Sequence, residues 1–471
     1  MSANAPYMHT VTELSSLIPQ GSRLFFIGIG GVSMSALAMI AREKGYTVSG
    51  SDRAVSRFTE MLREAGIPVF GQHDAENIDG CDAVIYNAAI GDDNPELARA
   101  KKEGIPVIYR TAFLTYLMRG YRRAIGIAGM HGKSTTSAML SHLFLFARRD
   151  PAILIGAPIA ALGRDFHCGT GEDFIFEACE YKDSFLSFRP TITVVLNEEM
   201  DHPDYFRSLD QVRESFFRYM QIPGEDGVNI VNLDDDNVMK SAEHTAARKV
   251  TFSTARRDAD FYAENITYRG GRPSFDVLHG GAPFCHIDLS VPGTHNVSNA
   301  LACCAAAVFS GIGPDVIAAG LSSFSGAARR MEYKGQLRGC PYPVDVYDDF
   351  GHHPSEIVTT LDGARRMTEK RLICVYQPHT YSRTFELFDD FCKSFDLCDA
   401  VYFTDIYAAR EQNVYGVSSS QLADHIPHAV YLPDLDALRA RLLETVAAGD
   451  TVVVMGAGDI AAFADRLVSA S

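Results

Sequence analysis

Short apolar runs alternate with segments of helical periodicity along most of this chain of 471 residues. Runs such as 173–177 and 191–196 are almost continuously apolar, which is typical of parallel strands covered on both faces. Segments such as 32–44, 295–309 and 435–447 carry apolar residues at helical spacing instead. The alternation predicts an α/β fold that is built from repeated strand–helix units.

Interruptions of this alternation divide the chain into three predicted domains, and the length agrees with about three. We expect a Rossmann-like N-terminal domain at 1–120 and a central domain of the P-loop ATPase type at 121–326. A Rossmann-like C-terminal domain is expected at 327–471. Polar alternating segments at 261–268 and 274–289 predict hairpins at the edge of the central sheet.

Residues 126–136, Gly-Ile-Ala-Gly-Met-His-Gly-Lys-Ser-Thr-Thr, predict a phosphate-binding loop between a buried strand and a helix. Glycines let backbone N–H groups approach an anion, and the helix N-terminus adds partial positive charge. Lys133 is placed to reach the β- and γ-phosphates, and the Ser134 hydroxyl to ligate Mg²⁺. The sequence therefore predicts ATP binding. The residues expected to bind it here are Gly129, Met130, His131, Gly132, Lys133, Ser134 and Thr135.

A second glycine turn, Gly28-x-Gly30-x-x-Ser33, follows the first predicted strand and precedes a helix and a second strand. This order is the beginning of a nucleotide-binding βαβ unit. Serine replaces the usual third glycine, so a close-packed turn without a ligand is the alternative to a diphosphate site. The candidate substrate-binding residues are Gly28, Gly30, Gly31, Asp52 and His73.

Two further polar residues follow strands near the phosphate loop. Glu177 ends an apolar strand, and His202 comes shortly after the next one. Carboxylates at the carboxyl edge of a parallel sheet, beside a phosphate loop, are well placed to hold Mg²⁺. The predicted metal ligands are therefore Ser134, Glu177 and His202, although a water-facing carboxylate and a structural histidine are the plainer alternatives.

Other polar clusters lie at helix starts, at a domain boundary and in turns. His295 and Asn296 begin a helix, where asparagine caps well and an adenine or phosphate contact is equally plausible. Arg329 and Arg330 lie at the predicted boundary, where cations can neutralise transferring phosphate charge. The turns at 348–354 and 377–384 would rim one crevice. Adjacent histidines in such a turn rarely point at one ion.

Composition excludes several partner classes. The formal net charge of −16 argues against nucleic acid and anionic membrane surfaces. Ten scattered cysteines without a Cys-x-x-Cys pair indicate reduced thiols. No apolar run approaches the ~18 residues of a membrane span, and the first twenty residues lack signal-peptide features. We expect a soluble cytoplasmic protein.

Together these motifs resemble the Mur ligase family over nearly the whole chain. The first glycine turn and the last two polar turns resemble the alanine-adding member. Departures include Met130 and Ser134 in the phosphate loop, Phe350, Thr380 and the triplet 198–200. The segments that carry the resemblance are 28–36, 129–136, 177–186, 201–202, 292–301, 329–330, 348–354 and 377–384.

The resemblance implies ATP-dependent ligation of L-alanine to the lactyl carboxylate of UDP-N-acetylmuramate, through an acyl phosphate, in peptidoglycan synthesis. It implies Mg²⁺, UDP on the first domain, ATP in the middle domain and the amino acid in the third, in a monomer or homodimer. The implied catalytic residues are Lys133, Glu177, His202, Arg330, His352 and Arg383. Those implied to position the nucleotide are His295, Asn296, Arg329 and Asp349.

We expect Arg383 to hold the carboxylate of the amino acid, with His352 and His353 as alternatives. Rival functions are an NAD-dependent oxidoreductase, a ligase that recycles murein tripeptide, a folate-extending ligase and a nucleotide-binding scaffold without turnover. The phosphate loop would have no purpose in an oxidoreductase. The folate enzyme lacks a UDP-binding first domain, and the intact Lys133, Glu177 and His202 disfavour the scaffold.

Overall fold

Three sheets of five, ten and six strands follow one another in the computed structural model, which describes residues 11–159, 162–202 and 205–468. The predicted three-domain α/β fold is confirmed. The chain passes from the first sheet to the second through 119–122 and from the second to the third through 323–331.

The first sheet has the order β3-β2-β1-β4-β5, and all its strand pairs are parallel. Its strands are β1 Arg23–Ile27, β2 Thr47–Ser51, β3 Val69–Phe70, β4 Ala83–Tyr86 and β5 Val107–Tyr109. The accompanying helices are α1 Val11–Leu17, α2 Val32–Glu43, α3 Arg57–Glu64, α4 Pro95–Glu103, α5 Arg110–Met118 and a 3₁₀ turn at Ala75–Ile78.

The second sheet has the order β15-β14-β13-β12-β11-β10-β6-β9-β7-β8. Its strands are β6 Arg123–Ala128, β7 Ala152–Ile159, β8 Arg164–Cys168, β9 Asp173–Glu177, β10 Ile192–Val195, β11 Val228–Asn232, β12 Arg248–Ser253, β13 Phe261–Arg269, β14 Arg272–His279 and β15 Ala282–Asp288. Its helices are α6 Lys133–Phe146, α7 Leu209–Met220, α8 Asp236–Ala242, α9 His295–Phe309, α10 Pro314–Ser322 and a 3₁₀ segment at Tyr181–Ser187. The predicted edge hairpins are confirmed, because β13, β14 and β15 pair antiparallel.

The third sheet has the order β16-β17-β21-β18-β19-β20. Its strands are β16 Glu332–Gln336, β17 Asp345–Asp349, β18 Leu372–Tyr376, β19 Ala400–Phe403, β20 Ala429–Tyr431 and β21 Thr451–Met455. Its helices are α11 Pro354–Met367, α12 Tyr381–Glu386, α13 Phe388–Lys393, α14 Ser419–His425, α15 Leu435–Thr445 and α16 Ala461–Val468. Residues 381–393 form two short helices rather than one, with Leu387, at φ −107°, between α12 and α13.

Small side chains bring the helices of the central domain close to the sheet and to one another. The middle of α9 reads Ala-Leu-Ala-Cys-Cys-Ala-Ala-Ala and is fully buried against α6 and β11–β13. All ten cysteines are free thiols. Within the described ranges, every helix is too short or too polar to cross a bilayer.

Candidate active site

The predicted phosphate loop joins β6 to α6 near the middle of the ten-stranded sheet. Gly129 and Gly132 adopt positive φ angles of 143° and 84°. A Cβ atom on Gly129 would lie 3.0 Å from the Cβ of Leu196, so a side chain there would be both crowded and strained. Asn197 exchanges two hydrogen bonds with the backbone of His131, at 2.8 and 3.0 Å. The neighbouring strand end therefore fixes the shape of the loop.

Lys133 lies folded against this loop as a partly buried cation, with 12 % of its side chain exposed. Its Nζ donates to the carbonyl oxygens of Gly129 and Met130, at 2.5 and 3.0 Å, and lies 2.9 Å from Oε2 of Glu180. Burial by itself lowers the pKa of Lys133, but the carboxylates of Glu180 and Glu177 outweigh it and the pKa is raised. The lysine is therefore held charged where a phosphate group would arrive.

Glu180 is a site residue that the sequence analysis missed. It is only 1 % exposed, and its Oε1 lies 3.2 Å from Nε2 of His202. Burial raises the pKa of Glu180, but Lys133 and His202 lower it further, so the net shift is downward. The predicted ligand Glu177 instead accepts a hydrogen bond from the backbone N–H of Gly156, at 3.0 Å. The motif Glu-Ala-Cys-Glu contained this signal, because it places a second carboxylate at the same strand end.

These side chains offer donors that suit a hard divalent cation. Carboxylate and hydroxyl oxygens come from Glu177, Glu180 and the buried Ser134, and one imidazole comes from His202. His202 adopts a φ of 52°, which is uncommon for a residue with a side chain. Oxygen donors are those that Mg²⁺ prefers, so the donor set fits the predicted ion.

A cavity of about 380 Å³ opens between the phosphate loop and the third domain. Polar side chains that the sequence analysis missed also line it, among them Asn232, Asp235, Thr359 and Thr360. Asn232 ends β11 and Asp235 is the N-cap residue of α8. Neither element contains a motif that the sequence could reveal. The predicted residues that line the cavity are His131, Gly132, Thr135, His295, Asn296, Arg330 and Asp349.

His295 and Asn296 form the wall of this cavity at the start of α9. Burial, with the nearby Arg330 charge, lowers the pKa of His295 to about 4, so the imidazole is neutral near neutral pH. The Asn296 side chain donates to the carbonyl oxygen of Pro292 at 2.6 Å and accepts from Asn299 at 3.0 Å. These bonds anchor the start of α9 and orient the cavity wall.

Arg329 and Arg330, the two arginines at the domain boundary, make contacts with different parts of the protein. Arg329 donates from Nε to Asp348 at 3.1 Å and from Nη2 to the carbonyl oxygen of Gly456 at 2.5 Å. It thereby ties the linker to the third sheet. Arg330 lines the cavity, with Nη1 3.7 Å from Oε1 of Glu356. Only Arg330 is therefore directed toward the space that a nucleotide would fill.

Asp349 lies buried at the end of β17. Its Oδ1 accepts from the N–H of Gly351 and its Oδ2 from the N–H of Met331, both at 2.8 Å. Burial raises the pKa of Asp349. The carboxylate therefore fixes the linker and the following turn while it also borders the cavity.

Arg383 crosses the seam between the third and central domains. Its Nη2 lies 3.0 Å from Oδ1 of Asp201, and both side chains are less than 10 % exposed. Burial raises the pKa of Asp201, but Arg383, His202 and His353 together outweigh burial and the net shift is downward. Among the described residues, Nε of Arg383 has no hydrogen-bond partner. Burial lowers the pKa of the adjacent His352 to about 3, so it stays neutral.

The first glycine turn is held by Asp52. The carboxylate accepts from the N–H of Gly30 at 2.9 Å, and a Cβ atom on Gly30 would meet Cγ2 of Thr59 at 2.6 Å. Nδ1 of His73 lies 2.9 Å from Oε2 of the buried Glu96 and 2.9 Å from Oγ of Ser51. Asp52 therefore holds this turn directly, whereas His73 contacts the end of β2.

Gly28 and Gly31 complete the turn in front of α2. Gly28 has a φ of 73°, and Gly31 is the N-cap residue of the helix. The exposed backbone of Gly31 leaves the helix N-terminus accessible to an anion.

A buried acid, Glu198, directly follows Asn197, which contacts the phosphate loop. Its Oε2 accepts from the Ser241 hydroxyl at 2.7 Å, and within the described residues its Oε1 has no partner. Burial, together with the Asp235 charge, raises the pKa of Glu198 to about 8. The folded protein therefore retains a proton there that the unfolded chain loses near the ordinary pKa of about 4.5.

We expect Glu198→Gln to remove a pH-dependent destabilisation. Between about pH 4.5 and about pH 8 the folded state binds one proton more than the unfolded state, so the free energy of unfolding falls as the pH rises, by at most about 1.4 kcal/mol per pH unit. Chemical denaturation at about pH 5.5 and about pH 8.5 should show a variant whose advantage over the wild type grows with pH. A constant difference would contradict the assignment.

Three family models match successive parts of the chain. They are described as the Mur ligase family catalytic domain at 23–122, the Mur ligase middle domain at 127–307 and the Mur ligase glutamate ligase domain at 329–458.

Individual relatives extend this match to nearly full length. A UDP-N-acetylmuramate–L-alanine ligase of Caldicellulosiruptor saccharolyticus is 42% identical over 445 residues, which cover 93% of this chain and 96% of the relative. The crystal structure of a UDP-N-acetylmuramate–alanine ligase from Thermotoga maritima has a TM-score of 0.77 at 26% identity and covers 95% of this chain and 98% of its own. A murein peptide ligase from Psychrobacter arcticus has a TM-score of 0.67 at 24% identity, with 95% and 98% covered, and shows a shared fold. This chain belongs to the Mur ligase family.

Proposed function

We propose that this protein ligates L-alanine to the lactyl carboxylate of UDP-N-acetylmuramate and converts ATP to ADP and phosphate in the same reaction. The observation that carries this proposal is the near full-length similarity, at 42% identity, to a relative named for that reaction. A phosphate loop with a buried lysine, open to a cavity between two domains, supplies the chemistry that the reaction needs.

The proposed reaction has two steps. A lactyl carboxylate oxygen attacks the γ-phosphorus of ATP, which gives an acyl phosphate and ADP. The amine of L-alanine then attacks the acyl carbon, loses a proton and expels phosphate, so that an amide remains. Lys133 and Arg330 neutralise charge on the transferring phosphoryl group. Mg²⁺ held by Ser134, Glu177 and His202 would add positive charge at the same oxygens.

The third domain contributes the amino-acid site in this proposal. The guanidinium of Arg383 is anchored to Asp201 by Nη2, and among the described residues its buried Nε has no hydrogen-bond partner. A guanidinium matches a carboxylate with two parallel hydrogen bonds. Asp201 precedes His202, so the amino-acid site and the metal site are connected through adjacent residues. Closure of the third domain therefore brings all three substrates together.

A ligase that recycles murein tripeptide is the second candidate, because the Psychrobacter arcticus structure shares the fold. Phosphate release from ATP with UDP-N-acetylmuramate should be measured with each amino acid and with the tripeptide. We expect release with L-alanine. Release with the tripeptide alone would identify the recycling reaction, and release without any acceptor would refute ligation.

We expect Glu177→Ala to raise the Mg²⁺ concentration needed for half-maximal turnover, because the ion loses a charged oxygen ligand. The matched variant is Glu180→Gln, which removes the neighbouring carboxylate charge and also weakens the ion pair with Lys133. Turnover should be titrated with Mg²⁺ for both. A normal Mg²⁺ requirement in Glu177→Ala, combined with a raised one in Glu180→Gln, would transfer the metal-ligand role to Glu180.

We expect Gly30→Val to weaken binding of UDP-N-acetylmuramate and leave ATP binding unchanged. The valine would collide with Thr59 and displace Asp52, which holds the turn. The matched control is Gly71→Val, since a Cβ atom at Gly71 meets nothing within 4 Å. Calorimetry with each nucleotide separates the outcomes: equal weakening of both ligands would indicate misfolding, and unchanged sugar-nucleotide binding would contradict the site.

A further inference from the structure

Three potential metal ligands meet at the seam between the central and third domains. His131 belongs to the phosphate loop, Glu199 follows β10, and His353 is the N-cap residue of α11. One ligand atom from each lies within 4.8 Å of the other two. Nε2 of His131 and Oε1 of Glu199 are already in direct contact.

A single hydroxyl group lies among the three side chains. Oγ of Ser355 is 2.8 Å from Nε2 of His131, 2.9 Å from Oε1 of Glu199 and 2.8 Å from Nδ1 of His353. The three side chains therefore surround the Ser355 hydroxyl, which a bound ion would displace or share, and His353 faces it through Nδ1. His353 is only 6 % exposed, yet within the described part of the chain its Nε2 has no hydrogen-bond partner. Hydrogen bonding in the protein leaves this buried imidazole incompletely satisfied.

We propose that His131, Glu199 and His353 form a binding site for Zn²⁺ or a similar imidazole-preferring divalent cation, which joins the two domains. Two imidazoles and one carboxylate are a donor set that Zn²⁺ takes with three protein ligands and one open position. Imidazole donors select such ions over Mg²⁺. The oxygen-rich group around Glu177 and Glu180 has the opposite preference.

Further contacts orient the ligands. Oε1 of Glu356 lies 3.3 Å from Nδ1 of His131, on the side of the ring away from Glu199. A carboxylate that contacts the second nitrogen of a histidine fixes the ring orientation at metal sites. Because the ligands come from both domains, the bound ion holds the third domain against the phosphate loop. The site goes beyond the proposed reaction and does not depend on the identity of its substrates.

The test measures Zn²⁺ affinity of the full-length protein by chelator competition, without nucleotide and with millimolar Mg²⁺ present. His353→Asn removes the imidazole but keeps a good N-cap residue, and Glu199→Gln removes the charge with little change in shape. The matched control is His425→Asn, at an exposed histidine in α14. His202→Asn tests the predicted magnesium site.

We expect the wild type and His425→Asn to bind Zn²⁺ equally, and both cluster variants to lose about 100-fold or more in affinity, beyond the loss typical of an outer-shell change. Zn²⁺ should also raise the melting temperature of the wild type but not of Glu199→Gln. Wild-type affinity in both folded cluster variants would overturn the proposal. A loss confined to His202→Asn would overturn it as well, by placing Zn²⁺ at the magnesium site.

Discussion

Lys133→Ala should lower kcat by at least about 100- to 1,000-fold, because loss of one preorganised charge at the transition state typically costs that much. The lysine is held by two carbonyl oxygens of the loop and by Glu180, so it is positioned before any ligand arrives. The fold should also lose stability, since the substitution leaves Glu180 buried without its main counterion. Turnover and melting temperature should therefore be measured together.

The double variant Lys133→Ala/Glu180→Gln separates these two effects. Removing the unpaired carboxylate should restore much of the melting temperature, because a neutral amide costs less to bury than an unpaired charge. Turnover should stay low, since the cation is still missing. Recovery of turnover in the double variant would contradict the role of Lys133 in phosphoryl transfer.

Arg383→Ala should raise the KM for L-alanine by about 10- to 150-fold, the equivalent of one charge-assisted hydrogen bond worth about 1.5–3 kcal/mol. The same change breaks the buried contact with Asp201 across the domain seam. The KM for ATP should change little, because Arg383 does not line the cavity between the phosphate loop and the third domain. Steady-state kinetics with each substrate varied in turn provide the measurement.

Arg371→Ala is the matched control, because Arg371 pairs with the buried Asp450 at 2.6 Å in the same domain. It removes an arginine–aspartate contact without touching the domain seam. Its KM for L-alanine should equal that of the wild type. An unchanged alanine KM in Arg383→Ala would exclude that residue as the carboxylate site and favour His352 or His353.

Local signals made the central features of the fold predictable. Glycines at the positive φ angles of Gly129 and Gly132, followed directly by Lys133 and α6, determine a phosphate loop within one short segment. The apolar runs of β9 and β10 likewise identified parallel strands. The sequence could not show, however, in which direction the side chains at the strand ends point. Glu177 turns toward Gly156 while Glu180 turns toward Lys133, and this choice depends on packing against neighbouring elements.

Contacts between residues that are far apart in the sequence could not be predicted, for the same reason. Asp201 and Arg383 are separated by 182 positions, and their pairing depends on how the third domain meets the second. Asp235 lines the same cavity from the start of α8, where the sequence indicates only an ordinary N-cap residue. Periodicity placed the individual elements, whereas the site depends on the way in which separate domains meet.

Transfer of oxygen from substrate to phosphate tests the proposed ligation most directly. UDP-N-acetylmuramate labelled with ¹⁸O in its lactyl carboxylate should be incubated with ATP, Mg²⁺ and L-alanine, and both products analysed by mass spectrometry. The acyl-phosphate route predicts one ¹⁸O atom in each phosphate released and one alanyl amide formed per ADP. Unlabelled phosphate, or phosphate released without the amide product, would contradict the account.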